Sequence, residues 1–174
     1  MEKVLIVVDM QNDFIDGALG TAEAVKIVPH AVEKIKNFNG KIYCTLDTHT
    51  EDYLQTSEGR HLPVVHCVRE TNGWQLNPKI AAAVENRAEI IEKPTFGSVK
   101  LSEILEKKAA DGEIAEIELI GLCTDICVVS NALLLKAAMP EMTIKVDSSC
   151  CAGVTPHSHE AALATMKMCQ IEVE

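Results

Sequence analysis

Hydrophobic residues along the chain form short, mostly apolar runs that are separated by longer amphipathic segments. A short run of this kind is typical of a strand buried in a sheet. Such runs predict five strands, and a weaker sixth strand is predicted near residues 170–173; the five lie at residues 4–8, 42–46, 88–91, 117–120 and 143–146.

Between these strands, apolar side chains recur at spacings of three and four residues, as they do on one face of a helix. The pattern holds for Val25, Val28, Val32 and Ile35, for Leu101, Ile104 and Leu105, and for the Ala-rich stretches 125–139 and 158–168. Alternating strands and helices predict an α/β fold: a doubly wound, Rossmann-like, mostly parallel six-stranded sheet with helices on both faces.

Length and composition limit both the architecture and the partners. With 174 residues, 47% of them hydrophobic, the chain predicts a single domain spanning residues 1–174. The net charge of -10 argues against nucleic acid or an anionic membrane as the main partner, because both attract basic surfaces. The first apolar run ends at Asp9, too early for a secretion signal, and no run is long enough to span a membrane. We therefore expect a cytoplasmic protein.

Seven cysteines are spread along the chain. Without a secretion signal they are expected to be mostly reduced thiols rather than a disulfide framework. Two CxxC pairs, which a zinc ribbon needs, are not present. Most of the cysteines are expected to act as small buried hydrophobic groups, so a reactive one must be found from its surroundings.

Polar or reactive residues follow each predicted strand. Asp9 follows the first strand, Asp47 the second, Lys93 the third, the segment GLCTDIC the fourth and Asp147 the fifth. Ligands bind beyond the carboxyl ends of the strands in open α/β sheets. We therefore expect these groups to share one rim of the sheet, although each alone also suits a loop or a helix cap.

Cys127 is the candidate nucleophile. The segment IELIGLCTDICVV passes from a strand through a tight turn into a helix, with Thr124 or Asp125 as the predicted N-cap. That places Cys127 in the first helical turn, where the helix dipole favours a thiolate. The N–H groups of Cys127 and Cys123 can receive an oxyanion, while the Cys123 thiol is interpreted as structural.

Three sequence motifs, which follow one another along the chain, together resemble those of a known family. VVDMQNDF, EKPTFGS and GLCTDICVVSNAL resemble the isochorismatase-like cysteine hydrolases that include nicotinamidases, and DSSCCAGVTPHSHEAAL extends the likeness. The resemblance implies Asp9 as general acid and base, Cys127 as nucleophile, and Lys93 as the cation that holds the thiolate and orients Asp9. It also implies a cis peptide between Leu122 and Cys123, which presents the Cys123 N–H to the substrate carbonyl.

A divalent metal site is predicted in the stretch DTHTEDYLQTSEGRHLPVVH. Asp47 and His49 lie two residues apart just after a strand, and His66 with either Glu58 or His61 completes a nitrogen and oxygen ligand set. Such a set suits Zn, Mn or Fe better than Ca. By the resemblance, Asp47, His49 and His66 are ligands and Glu58 is the better fourth candidate, with zinc favoured.

Three aromatic residues are candidate walls of a substrate pocket: Phe14, Phe96 and Trp74. Each can stack on a small flat substrate, and each can equally fill the core. Phe96 corresponds to the aromatic residue that follows the lysine in the family. Trp74 stands where many members have a small residue, so the exact substrate stays open.

The leading functional hypothesis is a cysteine amidohydrolase that converts nicotinamide to nicotinate and ammonia through a thioester. A related amidase for carbamoyl, ureido or other small amides is the alternative, and a non-catalytic metal-binding or ligand-binding α/β module is the alternative of another class. A true isochorismatase is disfavoured because the complete Asp, Lys and Cys set is present. The resemblance also implies a homo-oligomer, for which the stretch 132–139 suits either an interface or the core.

Overall fold

The computed structural model describes all residues 1–174 and contains one sheet of six strands. Every pair of neighbouring strands is parallel, in the order β3-β2-β1-β4-β5-β6. The strands are β1 (Glu2–Val8), β2 (Lys41–Asp47), β3 (Ala88–Lys93), β4 (Ile114–Leu122), β5 (Ile144–Ala152) and β6 (Glu172–Val173).

Seven α-helices connect the strands: α1 (Asn12–Ile15), α2 (Ala22–Asn37), α3 (Ser57–His61), α4 (Pro78–Val84), α5 (Val99–Ala110), α6 (Val129–Ala138) and α7 (Pro156–Met168). A 3-10 turn covers Tyr53–Gln55, and a π-type turn over Thr124–Val128 leads directly into α6. None of the helices has both the length and the apolar composition that crossing a membrane requires.

Two hydrophobic clusters lie on opposite faces of the sheet, because successive side chains of a strand point to opposite sides. In β1, Val4, Ile6 and Val8 face the cluster that α5, α6 and α7 cover. Leu5 and Val7 face the cluster that α1, α2 and α4 cover. The predicted fold class is therefore confirmed, and the sheet is parallel throughout.

Some predicted details of the helices differ from the structure. The buried face of α2 is formed by Ala24, Ile27, Val28, Ala31 and Ile35, whereas Val25 is about half exposed. In α6, Ala132 and Leu135 are buried in the core, while Leu133 and Leu134 stay partly exposed. The stretch 132–139 thus contributes to the core, and its use in an oligomer interface stays a prediction.

Asp147 does not lie at the carboxyl rim of the sheet, contrary to the prediction. It lies within β5, where the register shifts between the pairs Leu119–Val146 and Gly121–Cys151. These pairs are five positions apart on β5 but two apart on β4, so β5 carries a bulge there. Within it, Asp147 forms an ion pair of 2.8 Å with Lys34 of α2. This residue stabilises the packing of α2 and belongs to no rim site.

Candidate active site

The site lies where the order of the strands reverses. The chain proceeds outward from β1 through β2 and β3, then returns to the other side of β1 to form β4. The loops after β1 and β4 therefore leave the sheet in opposite directions and open a crevice between them. Asp9 and Cys123 immediately follow these two strands; Cys123 lines the crevice, whereas Asp9 is fully buried and does not line it.

Three predicted residues meet beside the crevice, and of these only Cys127 lines it. The Lys93 Nζ lies 2.6 Å from Asp9 Oδ2 and 3.4 Å from the Cys127 Sγ. Asp9, Lys93 and Cys127 are all buried, with relative exposures of 0%, 1% and 4%. The ammonium thus contacts a carboxylate and a thiol at once, in a place from which bulk water is excluded.

The hydrogen bonds around Lys93 and Asp9 fix both groups. The Lys93 ammonium donates to the Thr95 carbonyl oxygen at 3.0 Å and to Cys127 Sγ at 3.4 Å, and it forms an ion pair with Asp9 Oδ2. The Thr45 hydroxyl donates to Asp9 Oδ1 at 2.6 Å. One carboxylate oxygen of Asp9 therefore faces Thr45 and the other faces Lys93. Thr45 was not recognised from the sequence, because a lone Thr within a strand carries no signal of its partner.

The charges of Lys93 and Asp9 balance. Burial by itself lowers the pKa of Lys93, but the Asp9 carboxylate and Cys127 raise it overall, so the group is an ammonium. Burial raises the pKa of Asp9, and the Lys93 ammonium opposes that rise. We interpret the two groups as an ion pair, because the positive charge of Lys93 and the negative charge of Asp9 stabilise each other.

The Cys127 sulfur is buried, and the Lys93 ammonium lies 3.4 Å from it. Burial raises the pKa of the Cys127 thiol well above its ordinary value, the Asp9 carboxylate adds to the rise, and Lys93 opposes it. These surroundings favour the neutral thiol over the thiolate. A nucleophile in this state needs a base that takes its proton during attack.

The turn that carries Cys127 is capped differently from the prediction. Cys123, rather than Thr124 or Asp125, occupies the N-cap position, and it makes no side-chain capping bond. Its carbonyl accepts hydrogen bonds from the N–H groups of Ile126 and Val128, at 3.1 and 3.0 Å, the second of which is the longer π-type closure. The expected cis peptide between Leu122 and Cys123 is present.

Thr124 and Asp125 instead tie this turn to the segment after β5. The Thr124 hydroxyl and His159 Nδ1 are hydrogen bonded at 2.8 Å, and the Asp125 carboxylate accepts the Val154 N–H at 3.1 Å. On the sheet side, Gly121 has a φ of +117°, and a Cβ there would lie 2.1 Å from the Val8 carbonyl oxygen. Only glycine therefore allows the end of β4 to approach β1 this closely.

A second cluster of polar residues lies beside the first. Ligand atoms of Asp47, His49, Glu58 and His66 all lie within 4.8 Å of one another. The Nε2 atoms of His49 and His66 lie 3.0 and 3.5 Å from Asp47 Oδ2, and both lie 3.7 Å from Glu58 Oε1. Glu58, and not His61, thus completes the group of four.

The geometry of this cluster fits a tetrahedral metal ion. Bonds of about 2.0 to 2.1 Å to nitrogen and oxygen place neighbouring ligands roughly 3.3 Å apart, close to the separations observed here. The His66 Nδ1 is bonded to the Val64 carbonyl oxygen at 2.8 Å, which leaves Nε2 free as a ligand atom. Two imidazoles and two carboxylates are donors that suit zinc, manganese or iron.

Buried amide side chains brace both clusters, although the sequence analysis gave them no role. Gln11 accepts the Asp47 N–H at 2.8 Å and donates to the Asp47 carbonyl oxygen at 2.9 Å. Asn131 of α6 accepts the Ser98 N–H at 2.9 Å and donates to the Cys127 carbonyl oxygen at 2.8 Å. Two features of the sequence could have identified these residues: Asn131 interrupts an apolar helix, and Gln11 lies between two Asp residues of the first motif.

A pocket of about 840 Å³ opens above the two clusters. Phe14 and Phe96 line it as predicted, and the Phe14 ring meets His66 edge-on at 5.5 Å. Trp74 does not line it, so its position does not meet the prediction of a substrate contact. The Trp74 indole N–H donates to the Thr48 hydroxyl at 2.9 Å, and the ring packs against the core on the α2 face.

Comparison with known proteins gives a consistent result. The family described as the isochorismatase domain matches residues 3–174. The isochorismatase family protein PncA of Bacillus subtilis (strain 168) is 31% identical over 144 residues, which are 76% of this chain and 78% of the relative.

Two solved structures share the fold. The nicotinamidase/pyrazinamidase PncA from Bacillus subtilis superposes with a TM-score of 0.85 and 29% identity, covering 99% of both chains. The pyrazinamidase of Pyrococcus horikoshii in complex with zinc has a TM-score of 0.84 and 29% identity, covering 100% of this chain and 99% of that one. The resemblance inferred from the three motifs is confirmed, and the chain belongs to the isochorismatase family.

Proposed function

We propose that this protein is a metal-containing cysteine amidohydrolase that converts a small carboxamide, with nicotinamide as the leading candidate, into the carboxylic acid and ammonia. The observation that carries the proposal is the single ammonium of Lys93 in contact with both Asp9 and Cys127. The nicotinamidase and pyrazinamidase activities named for the two structural relatives support the reaction class.

Acylation begins with the neutral thiol. As the Cys127 sulfur attacks the carbonyl carbon of the amide, Asp9 accepts the thiol proton. The carbonyl oxygen becomes an oxyanion, for which the N–H groups of Cys123 and Cys127 are the proposed donors. Lys93 stays charged and stabilises the negative charge that moves between sulfur and carboxylate. The tetrahedral intermediate collapses when Asp9 returns its proton to the amine, and ammonia leaves a thioester on Cys127.

Deacylation reverses the roles. Asp9, again a carboxylate, takes a proton from a water molecule that attacks the thioester carbonyl. The second tetrahedral intermediate expels the sulfur, which regains its proton from Asp9, and the acid is released. The sum is one amide and one water converted to one acid and one ammonia. Asp47, His49, Glu58 and His66 would hold the metal ion, which when bound supplies a Lewis-acid contact for a substrate nitrogen or oxygen.

Ammonia release from a panel of small amides tests the reaction class directly. The panel contains nicotinamide, pyrazinamide, an aliphatic amide and an N-carbamoyl amino acid. We expect turnover of at least one carboxamide by the metal-loaded protein. Absence of ammonia from every amide in the panel would contradict the proposal.

The metal site makes a prediction with a control in the same pocket. Replacing His66 with Ala removes one of the four proposed ligands and is expected to lower the bound metal per chain, as measured by elemental analysis after dialysis, by about 10-fold or more. His61 lines the pocket outside the ligand group, and its Nδ1 is bonded to the Ser57 carbonyl oxygen. His61→Ala is therefore expected to retain the metal. Equal metal content in both variants would contradict the assignment.

Thr45 is expected to tune the reaction through Asp9. Thr45→Val keeps the shape of the side chain but removes the hydroxyl that donates to Asp9 Oδ1 at 2.6 Å. A lost hydrogen bond to a charged group lowers kcat by about 10- to 100-fold if it positions the general base. Thr45→Ser restores the hydroxyl and should restore most of kcat. Equal kcat for the Val and Ser variants, with a similar KM, would show that the hydroxyl has no positioning role.

A further inference from the structure

The pocket above Cys127 is larger than a single-ring amide requires. Its volume of about 840 Å³ falls in the upper part of the range of roughly 300–1,000 Å³ that holds drug-sized ligands. The reacting groups occupy only the floor, where Cys127 and the proposed metal ligands lie. The remaining space must therefore be filled by another part of the substrate or by water.

The upper walls of this space are apolar and come from separate segments of the chain: Leu19, Leu62, Phe96, Ile126 and Val154. Three of these reach the surface, since Leu62, Phe96 and Val154 are 36%, 45% and 51% exposed. Apolar side chains of the lining therefore extend to the solvent-exposed mouth of the pocket. An apolar wall that continues to the mouth of a pocket gains free energy when an apolar ligand covers it.

The charges of the pocket do not favour an anionic substrate. Neither Lys nor Arg is among the lining residues, and the carboxylates at the floor are Asp47 and Glu58. The Lys93 ammonium already contacts Asp9, Cys127 and the Thr95 carbonyl oxygen. A metal ion bound by two carboxylates and two neutral imidazoles leaves no net positive charge for a substrate carboxylate. A carbamoyl or ureido acid would therefore bury its carboxylate without a partner, which is costly.

We propose that the specific substrate is an uncharged carboxamide whose apolar body extends beyond one ring and lies along Leu62, Phe96 and Val154. This inference rests on the proposed amidase function and deepens it. It selects against the carbamoyl and ureido acids, and it assigns these three residues as the specificity-determining wall. The amide is held at the floor, while the apolar body reaches toward solvent.

The test uses matched amides on two parent rings, nicotinamide and benzamide. Each parent is compared with a derivative that carries a butyl chain meta to the carboxamide, and with one whose chain of equal length ends in a carboxylate. The specificity constant kcat/KM is measured by ammonia release. The dissociation constant is measured by calorimetry on the metal-loaded Cys127→Ala variant, which binds without reacting. We expect the kcat/KM of the butyl derivative to equal or exceed that of its parent. The kcat/KM of the carboxylate derivative should be at least about tenfold lower than that of the parent, and its dissociation constant correspondingly higher.

A charge introduced on the wall should change this preference. Phe96→Lys places a cation at the mouth of the pocket. The kcat/KM of the carboxylate derivative divided by that of the butyl derivative is expected to rise by about tenfold or more. Met168→Lys adds the same charge at a residue that is 85% exposed and does not line the pocket, so the ratio should stay at its wild-type value.

The outcomes separate this inference from the function on which it rests. Hydrolysis of a parent amide together with rejection of its butyl derivative, or a preference for the carboxylate derivative, would overturn the inference and leave the amidase intact. If wild-type protein releases no ammonia from any amide, the proposed function fails. The dissociation constants on Cys127→Ala then decide the inference alone, because they need no turnover.

Discussion

Cys127→Ala is expected to lower kcat by about 10⁵-fold or more, because the proposed reaction passes through a covalent bond to this sulfur. The fold should persist, since the substitution removes one small buried atom and leaves the backbone of the turn unchanged. Ammonia release measures the activity, and circular dichroism with thermal unfolding measures the fold.

Cys123→Ala is the matched control for that experiment. Cys123 also lines the pocket, and the pKa of its thiol is raised to about 12, first by burial and further by Asp125. The proposed role of Cys123 uses only its backbone N–H, which alanine retains. Most of the activity should therefore remain. Comparable losses in the two variants, or full activity in Cys127→Ala, would contradict the assignment of the nucleophile.

Asp9→Asn is expected to lower kcat by about 10²- to 10⁴-fold, because the amide cannot exchange protons with sulfur, ammonia or water. The same change removes the nearer counter-charge of the Lys93 ammonium, which is 1% exposed, and leaves only the Asp47 carboxylate at 3.6 Å. Breaking a buried ion pair by removing one partner costs about 3–5 kcal/mol of stability. The variant should therefore lose both activity and melting temperature.

The double variant Asp9→Asn with Lys93→Met separates these two losses. Replacing both members of a buried ion pair by uncharged groups often changes the stability little. The double variant should therefore regain most of the melting temperature while its activity stays as low as that of Asp9→Asn. Recovery of activity along with stability would mean that Asp9 acts only as a structural counter-charge.

The sheet and the rim of the site were predictable because both follow from local patterns. Short, mostly apolar runs placed five strands and a weaker signal placed the sixth, and in a parallel sheet the residues after each strand collect at one edge. Asp9, Lys93 and the Cys127 turn came together for this reason. Asp147 departed from the rule because β5 continues through a bulge to Ala152, whereas the predicted strand ended at residue 146.

The contacts of several side chains could not be predicted because their partners lie in distant segments of the chain. Thr124 resembles an N-cap in sequence, but its hydroxyl bonds to His159, which is 35 residues away. Trp74 was predicted to line the pocket, yet its indole N–H donates a hydrogen bond to the Thr48 hydroxyl. The helix position of Cys127 favours a thiolate, whereas burial raises the pKa of its thiol, and that burial could not be read from one helical turn.

The most direct test of the account is mass spectrometry of the wild-type protein, quenched with acid within one turnover after mixing with a hydrolysed amide. A thioester exchanges the amine of the substrate for the Cys127 sulfur, so the mass of the acyl group should appear on the peptide that contains Cys127. That adduct should disappear as the free acid accumulates. Complete formation of acid in a single turnover, with Cys127 unmodified at every quench time, would contradict the covalent mechanism.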